Sequence, residues 1–493
     1  MRRLITSLAI VALITGCTTT PPPAPSPEPA ATTAAAAEDF RATAPAPLTP
    51  RPYEFPDVTR VTLDNGLRVL VAENRSAPIV TFRTMVRSGA EHDPSRKAGL
   101  ASFTADALDE GAAGKTALQI AESFGNLGTS FSSWSDWDMS GTGFDVLSNR
   151  FEPALALAAD VLLRPDFPAA DIDRLRQQRL ASILQQRDNA SIVANQRFAS
   201  VVYGDTAYGR PVIGLQSTVS GITRSDVQDF YRRHYVPNDA TIIITGDIQP
   251  AVAVELARKY FSGWARGPAV TPVAVSPAAI DASRIYVIDR PQAVQSEIRV
   301  GHPGVARSTE DYFPLLIMNT ILGGNFGSRI NLNLRERHGY TYGARSSFTW
   351  RREPGPFTVS TPVRTEVTLP AVTEIMNELR GIRSGAVTET ELSAAKNYQA
   401  GIFPSTVESA WDLANRLTDL ELYGLPEDYF DHYRERIAAV TEADVQRVAN
   451  RYLNPDRSAI VIVGKAGAIR EPLETLGYPV TVYDIDGNPQ TVP

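Results

Sequence analysis

The chain of 493 residues has one cysteine and five histidines. A single cysteine excludes an intramolecular disulfide framework and any cysteine-based zinc site. The histidines are His92, His234, His302, His338 and His432, and the nearest two lie 36 positions apart. The zinc patterns H-E-x-x-H and H-x-x-E-H need two imidazoles within one helical turn, so both are absent. Positive charge is not in excess either. Against 48 Lys plus Arg stand 55 Asp plus Glu, for a net charge of −7. A nucleic-acid partner is not expected, because phosphate contacts need a basic face. The apolar stretch at residues 4–14 is too short to span a bilayer comfortably. What is present is 43% apolar residues, enough for sizeable cores.

Residues 1–17 read MRRLITSLAIVALITGC, with Arg2 and Arg3 ahead of the apolar stretch. The ending Ile14-Thr15-Gly16-Cys17 resembles a bacterial lipobox. That resemblance implies cleavage before Cys17 and lipidation of its sulfur. The bland alternative is an ordinary secretory signal with a chance cysteine. Thr18 and Thr19 follow the cysteine where an aspartate would resemble an inner-membrane retention signal. The expected location is the periplasmic side of the outer membrane, lipid-anchored. Residues 18–56 hold eleven prolines and ten alanines, a composition that favours an extended linker over a packed core.

The remainder is one pattern written twice. Thr223, Asp226, Val227, Gln228, Pro237 and the run at 242–246 recur at an offset of 218 as Thr441, Asp444, Val445, Gln446, Pro455 and 460–464. Each copy reads as a Thr-capped helix followed by a buried strand that stops at Gly. A period this long indicates two homologous domains rather than a solenoid. The expected partition is a signal peptide (1–17), a Pro/Ala linker (18–56), a first domain (57–266), a seam (267–282, with Pro272 and Pro277) and a second domain (283–493). Residues 58–73 read as a hairpin around Asp64-Asn65-Gly66. Strands are expected near 79–88, 284–288 and 297–300, and helices near 99–110, 171–187 and 312–322. This mixed order predicts an α+β fold of two homologous domains, each a mainly antiparallel sheet with helices on one face.

The segment VTLDNGLRVLVAENRSAPIVTFRTMVRSGAEHDPSRKAGLASF resembles the start of the insulinase/pitrilysin/processing-peptidase family of zinc metallopeptidases. The run from Leu322-Gly323-Gly324-Asn325-Phe326-Gly327 through Arg335 and Tyr340-Thr341-Tyr342-Gly343 is similar to that family's second-domain signature. The resemblance implies H-x-x-E-H on a helix after G-L-A, with a further Glu ligand downstream. After Gly99-Leu100-Ala101, the two histidine positions hold Ser102 and Asp106, and the catalytic Glu position holds Ala105. The downstream Glu is expected near Ser182. All four metal-site roles are vacant, and neither Asp109 nor Glu110 reads as a replacement. By the same resemblance, Arg335 and Tyr342 have the spacing of an Arg and a Tyr that reach across a chamber toward substrate at the zinc. A guanidinium and a phenol O–H suit an oxyanion and peptide carbonyls. A structural Arg and a packed Tyr are the bland alternative. The glycines read as tight backbone turns, since no G-K-[ST] follows them.

The five histidines read as isolated: His92 in a polar loop, His234 at a helix end, His302 after a strand, His338 in a turn and His432 in a polar helix. Trp134 and Trp137 read as an edge strand or as chamber-facing. The resulting expectation is a zinc-free subunit of a heterodimeric periplasmic metallopeptidase. It would bind no cofactor itself. Its partner would be a zinc-motif paralogue, its ligand an extended peptide held partly by strand addition, and its tether a lipid. It would be inactive alone. Two rivals remain: a pseudopeptidase acting as a scaffold or binding protein at the outer membrane, and a hydrolase working alone, against which the absence of G-x-S-x-G and of a His pair argues.

Overall fold

The computed structural model describes residues 54–490. The signal peptide, Cys17 and nearly all of the Pro/Ala linker lie outside the described residues. The first half begins with β1 (Val58–Thr62), β2 (Arg68–Glu73) and β3 (Ile79–Val86). A short ribbon follows, β4 (Gly111–Ala112) and β5 (Lys115–Thr116), then β6 (Ser132–Ser135), β7 (Ser140–Leu147) and β8 (Ala240–Gly246). The second half carries β9 (Arg284–Asp289), β10 (Gln295–Pro303), β11 (Arg345–Phe348), β12 (Pro356–Arg364), β13 (Ala459–Gly464), β14 (Val480–Tyr483) and β15 (Pro489–Gln490). The Asp64-Asn65-Gly66 turn forms between β1 and β2. Gly66 takes φ +87° there, and the Asn65 amide donates to the carbonyls of Phe261 and Trp264 at 2.9 and 3.1 Å.

The two main sheets share the order of five strands, β2-β8-β3-β7-β6 matching β9-β13-β10-β12-β11. The first runs β1-β2-β8-β3-β7-β6 and the second β11-β12-β10-β13-β9-β14-β15. In both, the central strand makes one parallel pair (β2 with β8, β9 with β13) and is antiparallel to its other neighbour, and in the second sheet β14 adds a further parallel pair with β9. The repeated helices Arg224–His234 and Glu442–Tyr452 each open on a capping box, Thr223 with Asp226 and Thr441 with Asp444. Each then leads into a fully buried central strand, β8 or β13. The fold is α+β with two similar sheets, each with its own helices against one face.

The opposite face of each sheet is covered from the other half. Val69, Val71, Phe82 and Ile244 face the helices of the first half, whereas Leu70, Ala72 and Ile243 join the core of the second. This alternation follows the period of two along a strand. Helix Ala410–Tyr423 lies on β3 and β8, and helix Ala190–Tyr203 lies on β10 and β13. The exchange is pinned by two matching arginines. Buried Arg83 on β3 donates to Asn415, and buried Arg299 on β10 donates to Asn195 at 2.6 Å. The halves therefore interlock, each supplying a helix to the other's sheet.

Candidate functional site

The helix Leu100–Asp106 carries the first three metal-site positions. It starts at Gly99, whose φ of +99° and contact with the Ile213 carbonyl leave no room for a Cβ. The Asp93 carboxylate accepts from the amides of Gly99 and Ala101 at 2.7 Å each, covering the N-terminal N–H groups. Ser102 donates to the Val212 carbonyl at 2.6 Å, and Ala105 is fully buried.

The side chain that reaches Ser102 and Asp106 from the downstream helix is Arg179, three residues before Ser182. On helix Ala169–Gln186, Arg179 is 9% exposed. Its Nη1 donates to Ser102 Oγ at 2.6 Å, and its Nη2 donates to the Ser102 carbonyl at 3.3 Å and pairs with Asp106. The exposed Ser182 hydroxyl donates to its own helix at the Gln178 carbonyl, 3.0 Å away. These residues do not fit a zinc ion. The donor set is one hydroxyl and one carboxylate, with a guanidinium standing where a further anionic or imidazole ligand is required. Nearby, Glu110 pairs with Arg174, and burial pushes the Asp109 carboxyl up to about 6. Among the described residues, no group of three or more His, Cys, Asp or Glu side chains is arranged to hold a metal.

The Gly-rich segment is built on two π-helical turns, Thr320–Gly324 and Leu332–Arg337. Such turns recur at functional sites because they shift side chains off the α-helical register. Gly323 lies against Ser346 of β11 so closely that a Cβ would strike the Ser346 amide nitrogen and Cβ. Asn331, 3% exposed, ties two loops together. Its Nδ2 donates to the Phe326 carbonyl at 2.7 Å, and its Oδ1 accepts from the Ala344 amide at 3.0 Å. The Gly343 carbonyl accepts from the hydroxyls of Thr341 and Thr361 at 3.0 and 3.1 Å. Between these fastenings Tyr342 stands 94% exposed. Arg335 stacks on exposed Phe326, 4.2 Å from the ring centroid, and pairs with Glu336 at 3.0 Å. Tyr342, Phe326 and Asn331 line one open cleft of about 330 Å³. The motif spacing pointed to Arg335 and Tyr342 but not to Asn331 or Phe326, whose contribution is to hold or abut them.

The isolated reading of the histidines needs correction. His92 and His234 lie with ring centroids 4.8 Å apart, joined to the buried Glu91 and Arg352 in a polar seam where the halves meet. Burial lowers both imidazoles, His234 to about 4, so they are neutral at pH 7. His302 lies inside β10 rather than after a strand, and its Nε2 accepts from the Asn454 amide at 3.0 Å. His338 stacks on Tyr340, and His432 bonds to Glu435. Trp134, on edge strand β6, packs over Gly141 and Arg83, while Trp137 stacks on Arg351.

Two family models match the chain: "Insulinase (Peptidase family M16)" over residues 68–215 and "Peptidase M16 inactive domain" over residues 221–398. An uncharacterized zinc protease of Streptomyces coelicolor is 27% identical over 410 residues, covering 82% of this chain and 89% of that protein. A probable mitochondrial-processing peptidase subunit beta of Arabidopsis thaliana is 24% identical over 420 residues, covering 83% of this chain and 78% of that protein. Among solved structures, a peptidase M16 inactive domain from Pseudomonas fluorescens superposes with a TM-score of 0.78 at 29% identity, over 83% of this chain and 98% of that one. A protease from Helicobacter pylori shares the fold, with a TM-score of 0.78 at 20% identity over 83% of this chain and 99% of that one.

Proposed function

Because the chain belongs to the insulinase (M16) family of peptidases, we propose that it is the zinc-free subunit of a heterodimeric periplasmic metallopeptidase. It would offer Arg335 and Tyr342 to a zinc site carried by a paralogous partner. The zinc and its activated water belong to that partner. This chain binds the extended peptide and places a guanidinium and a phenol O–H where the tetrahedral oxyanion develops. The lipid on Cys17 and the Pro/Ala linker tether the body to the periplasmic side of the outer membrane.

The observation that carries this reading is the contrast between the two half-sites. The metal-site positions are closed on themselves by Arg179, whereas Tyr342 is held by fastened backbone and left open to a second surface. That the Arabidopsis relative is named as a subunit is in keeping with a split enzyme. The test is co-expression with a paralogue containing H-x-x-E-H, followed by peptide hydrolysis assays. Activity should need both chains, and Tyr342→Phe or Arg335→Ala should lower kcat by roughly 10²-fold or more, the usual cost of one oxyanion donor. Unchanged activity in both variants refutes the role. A chain that copurifies with no zinc-motif partner favours the scaffold reading.

A further inference from the structure

Between helix Ala190–Tyr203 and the second sheet lies a cavity of about 450 Å³. Its floor is the face of β10, β11 and β12 that carries Arg299, Ser347, Thr358 and Ser360. Its walls include Trp137, Phe198, Val212 and Ile213. A volume of this size holds a small organic ligand, and mostly apolar walls with a few polar groups are the usual character of such sites.

Three arginines line it, and two are committed elsewhere. Arg299 donates to Asn195, Glu297, Ser191 and its neighbouring carbonyl. Arg210 donates to the carbonyls of Asp205 and Asp93 at 2.8 and 3.4 Å. Arg351 is the exception. It is 7% exposed, and its Nε and Nη1 are buried with no hydrogen-bond acceptor. The nearest carboxylates are engaged with other donors. Asp138 accepts from Tyr208 and from the Arg352 amide, and Asp136 accepts from the amides of Asp138 and Met139. Stacking on Trp137 (3.7 Å) and Tyr208 (4.4 Å) attracts the cation and fixes the guanidinium plane, but supplies no acceptor for its N–H groups. A buried guanidinium left in this state is costly unless something negative and planar completes it.

We propose that this cavity is a carboxylate-binding pocket, in which Arg351 takes the carboxylate of a peptide while the apolar walls take the adjoining side chain. The Arg351 fork, whose Nε and Nη1 have no acceptor, matches a carboxylate in two-point geometry. Choosing a peptide as the carrier rests on the function proposed above; the pocket itself does not. The carboxylate comes either from a chain terminus or from an Asp or Glu side chain.

The test is calorimetric titration of the full chain, without any partner, with three probes. These are N-acetyl-phenylalanyl-leucine, its C-terminal amide, and N-acetyl-aspartyl-leucine amide. The free acid should bind at least about tenfold tighter than its amide. Arg351→Gln should weaken it roughly 10- to 100-fold, as expected for losing a charge-assisted pair. Thr358→Phe, which fills the floor and leaves Arg351 in place, should also abolish binding. Binding of the first probe alone assigns a chain terminus; binding of the aspartyl probe assigns an acidic side chain. The proposal fails if the free acid and its amide both bind and do so equally well, if neither acid binds, or if Thr358→Phe and Arg351→Gln both bind as the parent does. Loss of hydrolysis by the paired enzyme with binding intact would refute the subunit function and leave this pocket standing. Hydrolysis without acid binding would do the reverse.

Discussion

Rebuilding the metal site tests whether Arg179 or Ser182 is its downstream corner. The triple variant Ser102→His, Ala105→Glu, Asp106→His restores both imidazoles and the general base on one helix. The Arg179 guanidinium lies 2.6 Å from Ser102 Oγ and pairs with Asp106. For a zinc ion held by the new imidazoles and lying roughly 4 Å from that cation, the repulsion follows from Coulomb's law. Unit charges at 4 Å interact by about 4 kcal/mol at an effective dielectric of about 20, so a dication is repelled by about 8 kcal/mol. That is roughly a millionfold in affinity. If the guanidinium swings outward to about 8 Å, about 4 kcal/mol, roughly a thousandfold, still remains. Its burial and its packing over Phe103 resist that swing. The triple variant should consequently purify without zinc. Adding Arg179→Glu converts repulsion to ligation and should give stoichiometric zinc, whereas adding Ser182→Glu should not. The assay is metal content after dialysis against zinc and a competing chelator, with circular dichroism to confirm folding. Stoichiometric zinc in the triple variant, or equal zinc from the two fourth substitutions, would refute the placement.

Two further outcomes follow from buried groups. Burial, partly opposed by Arg352 at 3.2 Å, pushes the Glu91 carboxyl up to about 9. A raised folded-state pKa gives stability that is complete below the unfolded value near 4.5 and lost as pH rises through 9. Asp93, at about 7, and Asp136 and Asp239, at about 6, have the same sign but titrate lower, and burial raises Asp106 and Asp419 as well, so the Glu91→Gln variant isolates the Glu91 share of the loss from pH 7.5 to 9.5. Thermal melts across that window should show Tm falling in the parent and a flatter profile in Glu91→Gln; equal slopes would contradict this. Asn331→Ala removes two hydrogen bonds at a buried position and should destabilise the chain by about 2 kcal/mol, read by urea unfolding. It should also lower activity of the paired enzyme by loosening the Tyr342 loop, and unchanged activity would mean that this loop is held by other contacts.

Much of the fold was legible because its signals are local. Asp64-Asn65-Gly66 marks a turn by its own backbone demands, and the repeat of Thr223 to Gly246 at Thr441 to Gly464 announces two similar units. The exchanged helices were not legible. Amphipathic spacing in Ala410–Tyr423 tells that one face is buried, not that it is buried on the other half's sheet. The same limit hid the seam where His92 meets His234. At the metal site, motif spacing placed the downstream ligand at Ser182. Arg179 lies three residues earlier, about 4.5 Å along the helix and about 60° around it. Only the angle between two helices, a tertiary property, decides which of the two faces Ser102.

The structure also separates tyrosines that serve the fold from one that does not. Tyr231 donates to the Leu162 carbonyl at 2.8 Å, Tyr203 to the Pro354 carbonyl at 2.9 Å, and Tyr452 to Asp311 at 2.6 Å. Each hydroxyl has a partner and each ring has packing. Tyr342 has fixed surroundings of another kind. Its backbone is fastened on either side by Thr341, Thr361 and Asn331, while its ring projects into solvent. Ordering a loop costs about 1–2 kcal/mol per residue, and burial of the Tyr342 side chain does not offset that cost within this chain. The metal-site positions show the opposite balance, since Arg179, Ser102 and Asp106 satisfy one another. A residue kept only for packing would resemble Tyr231. A fastened loop presenting an exposed phenol, beside a guanidinium stacked on an exposed Phe326, agrees with the proposal that the compensating contact comes from a second chain and the peptide between them.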